Sequence, residues 1–170
     1  HLHISRQARM RLDLDEIWWL VAPQNPLKSP DATADLELRL RLARDITTAE
    51  RYIWVSAPEA DLGTVHTVEF ARWLRQRYPG GNFVWLMGAD NLATFHLWAG
   101  WRRLAGLLPI AVIDRPGYRH AAMASKAAGT MAPWRWPQSA ATGLIYARPP
   151  AWICALTTQR RAPSRDVSRS

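Results

Sequence analysis

The sequence predicts an α/β fold in which helices cover both faces of a parallel sheet. Short apolar runs rich in β-branched and aromatic residues alternate with segments whose apolar residues recur at helical spacing. The chain has 170 residues, of which 48% are hydrophobic and 21% are charged. This composition suits one globular domain with a buried core and argues against intrinsic disorder. No run of 18 apolar residues occurs, which excludes a membrane-spanning helix.

The first half of the chain alternates helix and strand. The apolar stripe of Ile4, Ala8 and Leu12 predicts an amphipathic helix over 1–12. The same patterns predict a strand at 16–22, a proline-rich loop at 23–30, a helix at 35–46, a strand at 52–56 and a helix at 67–78.

The second half continues the alternation. It predicts a strand at 83–88, one or two short helices within 91–104, a strand at 109–113, a short helix at 121–128 and a fifth strand at 151–156. We therefore expect one domain over residues 1–156, followed by a basic segment over 157–170. In such Rossmann-like sheets, ligands bind beyond the carboxyl ends of the strands.

The charge is concentrated at the end of the chain. The net charge is +8, and residues 116–170 carry eight basic side chains against one acidic, Asp166. Such a distribution usually indicates an anionic partner, such as nucleic acid or a phosphorylated small molecule. A solvated tail without a partner is the alternative. The single cysteine, Cys154, excludes an internal disulfide framework and a cysteine-based zinc cluster. A cytoplasmic location is the simplest interpretation.

Four motifs occur in order along the chain. They are His1-Leu-His-Ile4, Val21-Ala-Pro-Gln-Asn-Pro-Leu-Lys28, the stretch from Phe83 to Trp101 that contains Gly-Ala-Asp-Asn and Phe-His-Leu-Trp, and Asp114-Arg-Pro-Gly-Tyr118. Together they resemble the bacterial nicotinate-nucleotide adenylyltransferases, which belong to the nucleotidyltransferase superfamily named for its H-x-G-H motif. The resemblance extends over nearly the whole chain and implies the nucleotidyltransferase fold.

The resemblance implies a reaction and its substrates. The phosphate of nicotinate mononucleotide attacks the α-phosphate of ATP, and deamido-NAD and pyrophosphate are formed as a step of NAD biosynthesis. Nucleotidyl transfer depends on alignment and on neutralising charge at the transferring phosphorus. We therefore expect Mg²⁺ to enter with ATP, and no metal site built from protein side chains.

The resemblance assigns the phosphates of ATP to basic and hydroxyl groups. His1 takes the place of the second histidine of H-x-G-H, at a helix N-terminus that favours phosphate. Lys28 is a point charge in the proline-rich loop. Both are expected to be catalytic. Ser164 and Arg169 match the spacing of a later phosphate-binding motif, although the residues between them do not.

The remaining nucleotide contacts are expected at Gly88, Asp90 and Arg115, with Asp90 at the adenosine ribose. For Asp90 the structural alternative is an N-cap of a helix over 91–96. For His1 it is an exposed terminal residue without a role.

The resemblance places nicotinate mononucleotide at Thr67, Trp98 and Ala99. The Trp98 ring would stack on the nicotinate ring, and the Ala99 amide would face its carboxylate. The alternatives are a core tryptophan at 98 and a helix cap at Thr67. The neighbours His66 and Phe70 depart from the family's pattern.

Both ends of the chain also depart from the family's pattern. The Gly-Gly-Ser/Thr-Phe stretch and the strand before it are absent from this sequence. We therefore expect a chain truncated at both ends, in which the first central strand is missing and the given polypeptide has little or no activity. The open alternatives are a related enzyme such as a pantetheine-phosphate adenylyltransferase, a basic nucleic-acid-binding module, and an inactive remnant.

Overall fold

The computed structural model describes residues 1–22, 35–58, 62–64, 66–135 and 144–147, the last four as backbone only. These residues divide into two compact units, one within His1–Phe70 and the other within Ala71–Gln159. The predicted α/β class with parallel strands is confirmed in both. The predicted segment 157–170, and with it the boundary at residue 156, lies outside the described residues.

The first unit pairs two parallel strands. Its elements are α1 (Leu2–Leu12), β1 (Ile17–Leu20), α2 (Leu36–Thr47) and β2 (Ile53–Ser56). Ile17 lies opposite Ile53 in the ladder. Asp35 begins α2 as its N-cap, because its carboxylate accepts hydrogen bonds from two free amides of the first turn. Helix α3 (Thr67–Arg77) spans the division at Phe70.

Polar contacts fix α1 within this unit. The Trp19 indole donates a hydrogen bond of 2.8 Å to the buried Ser5 hydroxyl. Arg6 forms an ion pair with Glu50. A hydrogen bond from the Tyr52 hydroxyl, followed by the bond from Arg6, lowers the pKa of the Glu50 carboxyl. The polar face of α1 is thereby held to the residues just before β2.

The second unit contains three strands. Its elements are β3 (Trp85–Gly88), α4 (Ala89–Thr94), a 3₁₀ turn (Phe95–Leu97), α5 (Trp101–Leu107), β4 (Ile110–Ile113), α6 (Arg119–Met123), α7 (Lys126–Met131), a second 3₁₀ turn (Ala132–Trp134) and β5 (Leu144–Ala147). Strands β3 and β4 are parallel, and Gly88 lies opposite Ile113. Every residue of β4 is buried. Both faces of this strand are therefore covered, as its continuous apolar run predicted.

Three details differ from the sequence prediction. Strand β5 was not predicted, and it runs antiparallel to β4. A short apolar run can form a strand or part of a buried helix, and here the pairing with β4 decides between the two. The single helix predicted at 121–128 is two helices, because the Ser125 hydroxyl caps a new helix by accepting from the Ala128 amide at 3.1 Å. The strand predicted at 151–156 and the loop at 23–30 lie outside the described residues.

A tight turn follows β4. The Tyr118 amide donates to the Arg115 carbonyl at 3.0 Å, and Gly117 has a φ of +83°. Pro116 lies at the second position and Gly117 at the third, the arrangement typical of a type II turn. This turn sets the direction in which the chain leaves the end of β4.

We predict that Gly117→Ala lowers the free energy of unfolding by about 1–2 kcal/mol, because a Cβ strains a left-handed backbone. The control is Gly129→Ala, in the exposed side of α7, where an added Cβ meets nothing within 4 Å. That change should stabilise the chain by about 0.5–1 kcal/mol. Urea unfolding measures both. Equal effects of the two substitutions would contradict the turn assignment.

Candidate functional site

An oppositely charged pair lies at the ends of β3 and β4. Asp90 follows Gly88 by two residues, and Arg115 follows Ile113 by two residues, so the parallel register brings the two side chains to one edge. The Arg115 Nη1 atom donates to Asp90 Oδ2 at 2.7 Å. The two side chains are 38% and 27% exposed, so the pair is accessible from solvent.

The second oxygen of this carboxylate has no partner. Within the described residues, Asp90 Oδ1 is buried without a hydrogen bond. A buried acceptor left unpaired is costly, more so when it carries charge. Because Oδ1 itself is covered, a ligand's hydroxyl or N–H group would meet this carboxylate on the part of the side chain that is exposed.

Asp90 is not a helix N-cap. Helix α4 begins at Ala89, its N-cap is Gly88, and Asp90 is the second helical residue. The structural alternative from the sequence is therefore wrong, because the helix begins two residues earlier than the predicted position. This leaves the carboxylate oriented toward Arg115.

Gly88 lies directly against the same carboxylate. A Cβ added to Gly88 would overlap Asp90 Oδ1 and would lie 3.7 Å from Arg115 Cδ. Its backbone is extended, so this close approach, and not an unusual φ, is what requires glycine here. The structure thus brings together three of the predicted site residues: Gly88, Asp90 and Arg115.

Trp98 lies beyond α4 in the same unit. Its ring packs edge-on against the buried Phe95 ring at 5.4 Å, and it remains partly exposed. Trp101 packs against the same Phe95 ring, with 5.8 Å between the centroids, and is 7% exposed. Trp101 is therefore the core residue, and Trp98 presents part of its ring outward.

The residues after Trp98 form an exposed turn. Ala99 is exposed, and Gly100, with a φ of +68°, is the N-cap of α5. Among the residues that the structure describes, no backbone carbonyl accepts from the Ala99 amide. This amide thus follows a partly exposed aromatic ring, and the assignment of both groups to a ring-and-carboxylate ligand stays a prediction.

The other predicted residues fall in the first unit or outside the described ranges. His1 is the exposed N-cap residue of α1, and its ring lies edge-on to Trp19 with 6.0 Å between centroids. Thr67 is the first residue of α3. Lys28, Ser164 and Arg169 lie outside the described residues, so their roles remain predictions.

Sequence reasoning did not find the contact between Asp90 and Arg115, or its neighbour between Asp114 and Arg119. The latter pair is 3.3 Å apart, and Asp114 also accepts from the Arg115 amide at 2.9 Å. Opposite charges at equal distances past two adjacent strands are the signal that could have revealed the first pair. That signal can be used only when the strand register is known.

Neither a metal cluster nor a membrane helix is found in the described part of the chain. No group of three histidine, cysteine, aspartate or glutamate side chains there is arranged to hold a metal ion. Likewise, none of its helices is both long and apolar enough to cross a bilayer.

Comparison with known proteins identifies relatives. Residues 1–162 match the family described as cytidylyltransferase-like. Three similar proteins are each named a probable nicotinate-nucleotide adenylyltransferase. One from Methylorubrum extorquens is 45% identical over 89% of this chain and 82% of its own length. One from a Caulobacter species is 47% identical over 90% and 80%. One from a Ruegeria species is 41% identical over 99% and 88%.

We predict that Gly88→Ala destabilises the protein by about 1–3 kcal/mol, the usual cost of overpacking, because the new methyl group displaces the Asp90 carboxylate. In an Asp90→Ala background the same change should cost almost nothing, since the overlapping atom is gone. Urea unfolding of the four proteins gives the coupling energy. Equal costs in both backgrounds would refute the proposed overlap.

Proposed function

The chain belongs to the cytidylyltransferase-like family, and we propose that it is a nicotinate-nucleotide adenylyltransferase. It would transfer the adenylyl group of ATP to the phosphate of nicotinate mononucleotide. A phosphate oxygen of the mononucleotide forms a bond to the α-phosphorus, the bond from that phosphorus to the bridging oxygen breaks, and pyrophosphate leaves. The names of the relatives support this reaction over a pantetheine-phosphate adenylyltransferase.

The observation that carries the proposal is the partly exposed carboxylate of Asp90, which Arg115 holds at the end of a parallel strand. Ribose presents two neighbouring hydroxyl groups, which are donors suited to a carboxylate. Asp90 lies just past the end of a parallel strand, where such folds bind nucleotides. Gly88 supplies the close approach. We therefore assign Gly88, Asp90 and Arg115 to the adenosine half of ATP.

The turn after α4 is proposed to hold nicotinate mononucleotide. A partly exposed indole offers a flat surface for a nicotinate ring. The exposed Ala99 amide beside it is a donor for the ring's carboxylate. We keep Thr67, at the start of α3, as a further contact to that carboxylate on the family resemblance.

Phosphate neutralisation is proposed for His1, Lys28, Ser164 and Arg169, with Mg²⁺ arriving as part of the ATP complex. Magnesium in nucleotide enzymes is held largely by substrate phosphates and water, so the protein needs few ligands of its own. The position of His1 at the N-terminus of the 11-residue helix α1 suits an anionic phosphate. The cationic groups would act mainly as charge develops at the α-phosphorus.

We expect no nucleic-acid partner, because the proposed substrates are themselves the anions that the basic residues would serve. We also propose that the reaction takes place in the cytoplasm, where ATP is available.

The direct test is incubation of the protein with MgATP and nicotinate mononucleotide, with deamido-NAD and pyrophosphate measured as products. Whatever the rate, both products should form in equal amounts. Nicotinamide mononucleotide and 4′-phosphopantetheine are the comparison acceptors. Faster transfer to 4′-phosphopantetheine than to nicotinate mononucleotide would refute the proposal.

We predict that Trp98→Ala weakens nicotinate mononucleotide binding about tenfold to a hundredfold, because it removes a stacking surface worth roughly 1–3 kcal/mol. The affinity for ATP should stay nearly unchanged, since the adenosine is assigned to Gly88 and Asp90. Calorimetric titration with each substrate measures both affinities.

The matched control is Trp134→Ala, which removes an exposed tryptophan from the second 3₁₀ turn. It should leave both affinities unchanged. Equal losses for the two substrates in Trp98→Ala would mean that its ring supports the fold and not the ligand.

A further inference from the structure

Arg115 is already engaged by a carboxylate. Its Nη1 atom is 2.7 Å from Asp90 Oδ2, a short charge-assisted hydrogen bond between partly exposed groups. An arginine whose charge is compensated in this way attracts a phosphate less than an unpaired one does. The geometry thus favours a role in which Arg115 acts on the ligand by holding Asp90.

The bond also restricts how the carboxylate can turn. The torsion about the Cβ–Cγ bond of aspartate is broad and nearly two-fold, so the two oxygens exchange places easily when nothing holds them. Here Arg115 holds Oδ2, and Gly88 lies against Oδ1 on the other side. The carboxylate is therefore clamped between a guanidinium and a strand end.

We propose that Arg115 is a positioning residue for ribose recognition: it fixes the Asp90 carboxylate so that this partly exposed side chain accepts from a ribose hydroxyl of the nucleotide. This inference rests on the proposed function only in taking ATP as the ligand. Arg115 would then determine discrimination between ribose and deoxyribose, and it would not bind the ATP phosphates.

The backbone hydrogen bonds around Arg115 support this role. Arg115 opens the turn that Pro116 and Gly117 fix, and its own amide donates to Asp114. Its backbone is thereby held at both ends, which fixes the point from which the side chain reaches Asp90.

The experiment measures binding of MgATP and of its 2′-deoxy and 3′-deoxy analogues by calorimetry, without a second substrate. Each analogue gives a ratio of its Kd to the Kd of ATP. The ribose preference is the larger of these two ratios. The proteins are the unmodified chain, Asp90→Ala, Arg115→Ala, Arg115→Lys and the double variant Asp90→Ala/Arg115→Ala.

We expect Asp90→Ala to reduce the ribose preference by about tenfold to a hundredfold, the loss of one hydrogen bond to a charged group. Arg115→Ala should reduce it to a similar extent, and the double variant should lose no more, because the two residues act as one unit. Arg115→Lys keeps the charge and a donor, so it should keep a larger share of the preference than Arg115→Ala.

The matched control is Arg119→Ala, which removes a guanidinium from the neighbouring pair with Asp114. It should leave the ribose preference intact. A general loss of structure in Arg115→Ala would weaken ATP and both analogues equally and would lower the thermal midpoint, whereas Arg115→Lys would still report the ratio.

Three results would overturn the inference. The first is an unchanged ribose preference in Arg115→Ala with weaker binding of all three nucleotides. The second is weaker binding of pyrophosphate by that variant. The third is a loss of ribose preference in the double variant that equals the sum of the two single losses. Failure of the proposed function appears separately, as ribose preference together with faster adenylylation of 4′-phosphopantetheine than of nicotinate mononucleotide. If nicotinate mononucleotide is adenylylated and any of the three results is also found, only the role of Arg115 is refuted.

Discussion

The ion pair between Asp90 and Arg115 is the contact on which the candidate site depends. It exists because β3 and β4 are parallel and in a register that places Gly88 opposite Ile113. Each charged residue then follows its strand by the same two positions. A register shift of one residue would move the arginine about 3.3 Å along the strand and turn it to the other face, so the pair would be lost.

The fold could be predicted from the sequence where an apolar run lies between predicted helices, as it does for β1 to β4. Strand β4 is buried along its whole length, and its unbroken apolar run predicted both its position and the cover on its two faces. Strand β5 was missed although Leu144–Ala147 is also an apolar run, because such a run does not by itself distinguish a strand from a buried helix, and the pairing with β4 does. The division of residues 121–128 into two helices follows from one hydroxyl, that of Ser125, which competes for the backbone of its neighbours.

The candidate site could be predicted only in part, for a related reason. Gly88 and Asp90 were predicted as site residues because they lie at the end of a predicted strand and match the family's motif. Their contact with Arg115 joins residues 25 positions apart in sequence, and only the strand register reveals it. The helix cap assigned to Asp90 failed because it depended on where α4 begins, and helix ends are the least certain part of any sequence prediction.

In the aromatic cluster of Phe95, Trp98 and Trp101, one buried ring contacts both a core residue and a proposed site residue. The chain has ten tryptophans, so composition could not tell a core ring from a ligand-facing ring. Phe95 makes the distinction, because Trp101 packs against it inside the core while Trp98 packs against it and stays partly exposed. A ring held at its edge by a fully buried phenylalanine loses little freedom when a ligand stacks on its face. The proposed selectivity for a flat, carboxylated ring thus draws on packing that already stabilises the second unit.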